Sequence, residues 1–260
     1  LQLRTTIEKT VSQLSFSDFS ATTDNSDDDQ NTQAGNPGIT QEQAWNYEMN
    51  LEYRLPNSIG VFNTELYYRD LTDVIDRIDV SPSATDLQSA RGNIGDGKRY
   101  GANFDASTRL GYLGAPNALL TLGLSLQDSQ VTDPFLGTQR RLRRNSRWFG
   151  RANFRHDITE YNFSYGFSYF NSARDGSGLT QIDINDTETD IGEYGLNFFA
   201  EKQAFNGITF RFDIQNANNQ IRCRERIRYV GATASGIIEE VEDSCNGTGV
   251  KYALKIRQTF

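Results

Sequence analysis

Residues 161–170 read YNFSYGFSYF and place an aromatic ring at every second position. The rings belong to Tyr161, Phe163, Tyr165, Phe167 and Tyr169, and the residues between the last four are Ser164, Gly166 and Ser168. Because alternate side chains of a β-strand point to opposite faces, this stretch predicts a strand with one aromatic face and one small polar face. The aromatic face would pack on a second sheet in a water-soluble sandwich, or face lipid in a membrane barrel.

The same two-residue alternation recurs along the chain and predicts ten strands in all. The other nine lie at about residues 1–11, 46–54, 62–69, 100–112, 120–127, 148–155, 194–201, 208–215 and 251–260. Most approach the ~9–11 residues that a tilted strand needs to cross a bilayer. Their polar faces carry charges of both signs, such as Arg4, Glu52 and Asp105. Such charges are costly in the dry core of a sandwich and tolerable beside water.

The connections between these strands alternate in length. Short turns are predicted at residues 56–60, 113–117, 156–160 and 202–207, and long polar segments at 15–43, 72–98, 132–145, 171–189 and 216–249. Outer-membrane barrels have short periplasmic turns and longer extracellular loops, whereas a soluble sandwich has no reason to sort its loops. The sequence therefore predicts an all-β fold, an antiparallel transmembrane β-barrel.

Composition and net charge limit the classes of partner and of membrane segment that the chain can have. The 260 residues carry a net charge of −8, which argues against a nucleic-acid partner. No apolar run is long enough for a membrane-spanning helix, which leaves a barrel possible because its strands hide apolar residues by alternation. Residue Leu1 already lies within a strand pattern, so we expect the chain to be a piece of a longer precursor.

Several stretches resemble the C-terminal barrel half of TonB-dependent outer-membrane receptors. They are GNPGITQEQAWNYEMNLEYRL at 35–55, GVFNTELYYRDLTDVI at 60–75, RGNIGDGKRYGANFDAS at 91–107 and YALKIRQTF at 252–260. The family often has a Lys-Pro-Glu type of step where this chain has Thr40-Gln41-Glu42, and Arg-Pro where it has Gln13-Leu14. The resemblance implies that Phe260, the final aromatic residue, is the signal read by the barrel-assembly machinery.

The resemblance implies a barrel of about 22 strands with a plug inside it. Residues 1–260 would then be the C-terminal portion of the barrel, with the plug domain and the N-terminal strands absent. The implied function is a receptor in the outer membrane of a Gram-negative bacterium that takes up a scarce bulky nutrient, such as a siderophore, cobalamin or glycan. Implied partners are TonB through the missing plug segment, outer-membrane lipid and lipopolysaccharide, the missing strands and plug, and a small-molecule or glycan ligand.

A second interpretation is a passive pore, or a self-contained ten-strand barrel with a structural or adhesive role. A closed ten-strand barrel needs its first and last strands, at residues 1–11 and 252–260, to pair with each other, because open edges cannot face lipid. In the receptor interpretation both edges instead bind strands that this chain lacks.

Cys223 and Cys245 are the two cysteines of the chain. An outer-membrane protein passes through an oxidising periplasm, so we expect them to form a disulfide. If they are directly opposed in an extracellular hairpin, Arg226 faces Glu242 and Arg228 faces Glu240, which matches charge with charge. The arginines of this hairpin could instead form a ladder for an anionic ligand: Arg222, Arg224, Arg226 and Arg228.

A basic cluster without adjacent acids lies in the third long segment: Arg140, Arg141, Arg143, Arg144 and Arg147. Guanidinium groups bind phosphates and carboxylates well, so we predict a binding site for lipopolysaccharide or an acidic ligand, with solvated loop charge as the alternative. An acidic run at residues 24–29 lacks the spacing of a calcium loop. No metal is expected.

Catalysis finds no support in the sequence. The single histidine, His156, lies in a predicted periplasmic turn. A Ser-His-Asp catalytic site would need this histidine, and the sequence shows no nucleophile beside a general base. We predict that the protein is not an enzyme and needs no cofactor.

Overall fold

The computed structural model describes residues 1–19, 32–143, 145–173, 181–190 and 193–258. The strands in chain order are β1 (Gln2–Val11), β2 (Thr32–Ala34), β3 (Gln43–Arg54), β4 (Gly60–Thr72), β5 (Ile75–Asp79), β6 (Gln88–Asn93), β7 (Gly97–Leu110), β8 (Ala115–Thr132), β9 (Gln139–Arg140), β10 (Trp148–Ile158), β11 (Phe163–Ala173), β12 (Gln181–Ile182), β13 (Asp186–Asp190), β14 (Glu193–Gln203), β15 (Ile208–Gln215), β16 (Ile221–Tyr229), β17 (Ile238–Gly247) and β18 (Lys251–Gln258). One short helix, α1 (Phe16–Phe19), follows β1. None of the described segments is a helix long and apolar enough to cross a membrane.

The main sheet is antiparallel and contains all ten strands that the alternation predicts. Its order is β1-β3-β4-β7-β8-β10-β11-β14-β15-β18, with the short β9 added beside β8. Each strand pairs with the one before it and the one after it in this order, so the sheet is a meander. The two end strands, β1 and β18, lie at opposite edges and do not pair with each other. The prediction of two open edges is therefore confirmed for this chain.

The cross-strand register collects most of the large apolar side chains on one face of the main sheet. Phe167 of β11 lies opposite Phe154 of β10 and Phe198 of β14, and the rings of Phe154 and Phe167 stack at 5.8 Å. Leu122 of β8 and Phe198 remain 45% and 41% exposed, and no other sheet of the described chain covers this face. The face has the extent and regularity of a lipid-facing barrel surface rather than of a sandwich core.

Two details of the aromatic stretch differ from the sequence-based prediction. Phe163, Tyr165, Phe167 and Tyr169 share the apolar face of β11, but Tyr161 belongs to a 3₁₀ turn, Thr159–Tyr161. The strand starts later because Asn162 adopts a left-handed backbone, φ 46°, which ends the turn. His156 does not lie in the turn: it is part of β10, on the apolar face, with its ring centroid 5.5 Å from that of Tyr165.

Four tight turns join the strands at one end of the main sheet. Each contains a residue with a left-handed backbone: Asn57 (φ 57°), Gly114 (φ 78°), Asn162 (φ 46°) and Asn206 (φ 56°). Glycine has no Cβ to clash in this region, and asparagine tolerates it better than other residues. These residue types therefore permit the chain to reverse within a few positions, as the short connections require.

The five long connections lie at the opposite end, and we call these segments together the loop layer. Their described parts form two small sheets, apart from β9, which pairs with β8 of the main sheet. Strands β2, β6 and β5 form a three-stranded sheet, and β12, β13, β16 and β17 form a four-stranded sheet. Alternation did not predict five of these strands, β2, β5, β6, β12 and β13, since two to six residues carry too little pattern. A small apolar core of Leu71, Val74 and Val131 lies where the loops leave the main sheet.

Candidate functional site

The polar face of the main sheet carries a continuous ladder of opposite charges across four strands, and we call this face the polar wall. The contacts are Arg155–Asp157 (2.8 Å), Arg155–Glu201 (3.8 Å), Arg211–Glu201 (3.4 Å), Arg211–Asp213 (2.9 Å) and Lys255–Asp213 (3.0 Å). They belong to β10, β14, β15 and β18, and Ser164 of β11 joins them by donating to Asp157. Because each carboxylate faces a cation, the ladder is stable beside water and offers donors and acceptors to whatever fills the space in front of it.

One aromatic side chain, Phe199, contacts two arginines at the centre of this ladder. The guanidinium groups of Arg211 and Arg155 lie 4.3 and 5.4 Å from the ring centroid of Phe199, within the range of cation–π attraction. The ring covers Gly166 on the neighbouring strand, where an added Cβ would come within 2.7 Å of it. Tyr67 covers Gly101 in the same way on the other half of the wall. Glycine is thus required opposite each of these rings.

Beside Phe199 the wall forms an open groove of about 570 Å³. Its polar lining includes Asn153, Arg155, Ser168, Asn197, Arg211 and Gln215. The other half of the wall is also hydrogen-bonded between strands, for example from Arg151 to Asp105 at 2.7 Å and from Tyr67 to Gln127 at 3.0 Å. The wall therefore presents amides, guanidinium groups and carboxylates, a surface suited to a hydrated or protein partner.

The loop layer contains a second charged site, and this one is buried. Arg140 is only 11% exposed and donates to Asp133 at 2.6 Å and to Asp76 at 2.9 Å. Asp133 is fully buried. Since Asp76 belongs to the loop between β4 and β7, this pair of contacts ties two loops together.

The tip of the hairpin formed by β12 and β13 fits between other loops. All six residues from Ile182 to Thr187 are buried. Asp183 contacts Arg77 at 3.4 Å, and Asp186 contacts Arg226 at 2.6 Å. The backbone N–H of Thr233 donates to the carbonyl of Ile184 at 2.6 Å. The loop tip is therefore held by ion pairs and backbone hydrogen bonds together with the buried side chains of Ile182 and Ile184.

The disulfide prediction is confirmed: Cys223 and Cys245 are bonded and directly opposed in the β16–β17 hairpin. The predicted register is also confirmed, with Arg226 opposite Glu242 and Arg228 opposite Glu240. Arg228 contacts Glu240 at 3.3 Å. Sequence reasoning missed β13, which pairs with the other side of β16 and brings Asp186 to Arg226. Five residues of alternating Asp, Thr and Glu gave no apolar signal for that strand.

The predicted basic cluster does not form one exposed patch in the part of the chain that the structure describes. Arg140 points inward, Arg143 donates to Gln181, and Arg141 donates to the carbonyl of Asn145 at 3.5 Å. Arg147 lies at the surface. The acids that neutralise Arg140 come from seven and 64 residues away, so the absence of neighbouring acids was a poor guide. A binding role for the cluster stays a prediction.

Three expectations fall on residues outside the described ranges: Arg144 of the basic cluster, the acidic run at 24–29 and the final Phe260. Within the described ranges, no group of three or more His, Cys, Asp and Glu side chains is arranged to hold a metal ion.

The first loop is fixed by a carboxylate. Asp18 of α1 accepts hydrogen bonds from the backbone N–H of Ser15 at 2.8 Å and from Arg91 at 2.6 Å. Burial alone would raise the pKa of Asp18, but the hydrogen bonds from Ser15 and the positive charge of Arg91 outweigh it and hold the pKa below its usual 3.8. The ionised form therefore stabilises this contact between the first two loops.

The fold has clear relatives among solved structures. The chain superposes on the copper transporter OprC with a TM-score of 0.58 at 13% identity, covering 84% of this chain and 31% of that one. It superposes on the ferric yersiniabactin uptake receptor FyuA from Yersinia pestis with a TM-score of 0.57 at 16% identity, covering 82% and 30%. A variant of the ferric enterobactin receptor PfeA from Pseudomonas aeruginosa gives 0.57 at 10% identity, covering 97% and 38%.

These similarities concern the fold alone, since the identities are low, and the chain spans about a third of the length of each relative. No curated protein sequence matches the chain significantly. The model of the family described as TonB dependent receptor-like, beta-barrel matches residues 1–217. Together with the ten-strand meander, its apolar outer face and its polar wall, this match shows that the chain belongs to the TonB-dependent receptor β-barrel family.

Proposed function

We propose that this chain is the C-terminal part of the barrel of an outer-membrane receptor that takes up a scarce, bulky nutrient with energy delivered through TonB. The observation that carries the proposal is the family match over residues 1–217 combined with the open ten-strand sheet. An open edge in hydrocarbon leaves backbone N–H and C=O groups unpaired at a cost of several kcal/mol each. Further strands beside β1 and β18 remove that cost.

The polar wall is the surface that the proposal assigns to the plug and to ligand passing through the barrel. Its charges are already paired within the wall, as in the contacts of Arg211 with Glu201 and Asp213. A partner can therefore leave without exposing an isolated charge. That property suits a plug that must move when TonB pulls on it.

Ligand capture is assigned to the loop layer, including the basic cluster predicted from the sequence. Arg147 is exposed and Arg141 and Arg143 are partly buried, while Arg140 anchors their loop. Guanidinium groups outside the outer membrane suit phosphate or carboxylate groups of a ligand or of lipopolysaccharide. Relatives named for copper, yersiniabactin and enterobactin show how varied the cargo of one fold can be.

Uptake by living cells tests the proposal. The full-length receptor is deleted from its host and restored, and growth is measured with each candidate nutrient (ferric siderophores, cobalamin, copper, glycans) made limiting in turn. We expect growth on one limiting nutrient to require the receptor. We also expect the restored receptor to give no growth on that nutrient when TonB is deleted. Receptor-dependent uptake that persists at full rate without TonB would instead favour a passive pore.

A further inference from the structure

The four-stranded sheet of the loop layer repeats the order of four strands of the main sheet. Its order is β12-β13-β16-β17, and the main-sheet strands connected to these are β11-β14-β15-β18 in the same order. The base of the β16–β17 hairpin is closed, because Asn216, directly after β15, donates from Nδ2 to the carbonyl of Gly249, two residues before β18, at 3.0 Å. The free edge of β17 therefore continues the free edge of β18 beyond the main sheet.

Among the described residues, β17 is the longest free edge of the two small sheets. It has ten residues, whereas the other edge strands, β12, β2 and β5, have two, three and five. Nine of the ten residues of β17 are exposed. Proteins usually keep edge strands short or cover them, because a row of unpaired N–H and C=O groups pairs readily with other polypeptide. An edge of this length is therefore suited to dock a further strand.

The disulfide identifies which backbone groups of β17 point away from β16. The Cα atoms of Cys223 and Cys245 are 4.1 Å apart. Opposed residues this close occupy a non-hydrogen-bonded position of an antiparallel ladder, so their N–H and C=O groups point outward. By the two-residue period, those of Val241 and Asp243 also point outward. The N–H of Tyr229, an even number of residues from Cys223 on β16, accordingly donates away from β17, to a carbonyl directly before β13.

The charges on one face of this sheet alternate from strand to strand. β13 carries acids, β16 arginines and β17 acids again: Asp186, Glu188 and Asp190; Arg224, Arg226 and Arg228; Glu240 and Glu242. Arg228 contacts Glu240 at 3.3 Å, and Arg224 contacts Glu242 at 3.5 Å. The two glutamates are still 56% and 42% exposed. Because opposite charges on neighbouring strands stabilise a sheet, the strand that best fits beside β17 carries lysine or arginine at alternate positions.

The direction of β18 indicates where such a strand comes from. β18 runs from the loop layer to the end of the main sheet that has the tight turns. A barrel strand paired antiparallel with its free edge runs the other way and leaves the main sheet beside β17. A second copy of β17 is a poor partner, because the strand has four carboxylates and no cation, and edge-to-edge pairing would bring like charges together.

We propose that β17 is the docking edge for a basic strand of the extracellular loop that follows the absent barrel strand paired with β18. This fifth strand bonds to the outward backbone groups of Val241, Asp243 and Cys245, with its cations beside Glu240 and Glu242. The β16–β17 hairpin is then the point at which the loops of the two barrel portions join. The proposal rests on the proposed function only in taking the chain as the C-terminal portion of a larger barrel.

Photo-crosslinking of the full-length receptor in the outer membrane of its host identifies the occupant. The photoreactive residue p-benzoylphenylalanine replaces Asp243 or, as the control, Thr85, which is exposed in the loop between β5 and β6. After irradiation, mass spectrometry identifies the crosslinked peptide. We expect position 243 to crosslink to one basic peptide of the first extracellular loop of the absent portion, and position 85 not to do so. A crosslink from position 243 to a second copy or to another protein, or no crosslink, would overturn the proposal.

Hydrogen exchange of the purified receptor, resolved to single residues by electron-transfer fragmentation, tests the backbone pairing. The N–H of Ser244 points to β16 by the two-residue period and is the internal control. We expect the N–H groups of Val241 and Asp243 to exchange at least about tenfold more slowly than in an unstructured peptide of the same sequence. Exchange of these two groups at the rate of the peptide, with Ser244 protected, would show a bare edge and refute the docking.

Two matched variants test the charge of the docked strand. Glu242→Gln removes a charge from the face that carries the alternating charges, and Asp243→Asn removes the same charge from the opposite face of β17. We expect Glu242→Gln to speed exchange at Val241 about two- to fivefold, as expected for one lost cross-strand charge pair, and Asp243→Asn to leave it unchanged. Arg224 keeps Glu188 as a partner in the first variant, so Ser244 should stay protected. Equal effects on Val241, or no effect of Glu242→Gln, would contradict a basic strand on that face.

The pairing of β17 and the uptake of a nutrient are measured separately. A receptor that fails the uptake test and still crosslinks from position 243 retains the loop pairing. A bare edge at β17, in turn, leaves the transport proposal standing.

Discussion

The main sheet and the loop layer solve the problem of burying side chains in opposite ways. On the main sheet, large apolar residues such as Leu122 and Phe198 stay more than 40% exposed, and charges of the polar wall face each other across strands. In the loop layer, Asp133 and Asp183 are almost completely buried against arginines. A soluble domain would show the reverse pattern, with apolar residues inside and charges outside.

The two regions obtain their stability from different sources. The main sheet relies on its backbone ladder and on an apolar medium outside it, which makes an internal core unnecessary. The loop layer lies beyond that medium and combines buried apolar side chains, such as Ile182 and Ile184, with buried ion pairs, a disulfide and short backbone ladders. Substitutions that add or remove a charge should therefore have different effects on stability in the two regions.

The largest effect is expected from Arg140→Leu. The substitution leaves Asp76 and Asp133 without their shared cation in a buried site, which typically costs about 3–5 kcal/mol. We expect that loss in the opening free energy of residues 131–142, measured by hydrogen exchange of the full receptor. Arg54→Leu is the control, because Arg54 pairs with Glu52 but is 77% exposed. The control should change stability by less than about 1 kcal/mol, and equal effects would show that water reaches the Arg140 site.

The next effect concerns the apolar face. Phe167→Arg places a charge where we propose lipid lies and should cost about 2–4 kcal/mol if the position is near the bilayer midplane. The neighbouring Ser168→Arg points to the polar wall and should cost less than about 1 kcal/mol. Denaturant unfolding of the full receptor in lipid vesicles measures both. A cost for Ser168→Arg as large as that for Phe167→Arg would contradict the assignment of the two faces.

A smaller effect is expected from opening the disulfide. Replacing Cys223 and Cys245 together by serine removes a constraint on a 22-residue separation. The two strands are already paired, so we expect a loss of about 2 kcal/mol, at the lower end of the usual range, confined to the β16–β17 hairpin. Hydrogen exchange of the hairpin reports it, with β8 and β10 as internal controls. Free thiols found by alkylation of the unreduced protein would contradict the bond itself.

The smallest effect is a pH dependence at the edge of the loop layer. The folded pKa of Asp18 is lower than its unfolded value near 3.8, so the contact of Asp18 with Arg91 contributes stability above that unfolded value. This stability is lost as the pH falls through the lowered folded pKa. Because Arg91 is 53% exposed, the contribution is under about 1 kcal/mol.

Hydrogen exchange around α1 measures the Asp18 effect. We expect faster exchange on acidification below about pH 4 in the native protein and no such step in Asp18→Asn. A step of equal size in the Asn variant would assign the pH dependence to another carboxylate.

The main sheet could be predicted from the residues alone. All ten strands followed from the two-residue alternation, and the four short turns followed from the short gaps between these strand patterns. The reason is that both signals are local: a strand residue reveals its face through its immediate neighbours, whatever lies further along the chain. The register of the disulfide hairpin was equally accessible, because one covalent bond fixes the position of every other pair.

The charged sites depend on contacts between distant segments of the chain. Asp76 meets Arg140 across 64 residues and Asp186 meets Arg226 across 40, so nothing beside those arginines in the sequence revealed that they would be buried. The expected exposed basic cluster was accordingly divided between inward and outward side chains. Burial of an ion pair depends on which loops meet above the sheet, and that is set by the strand order rather than by the residues that form the pair.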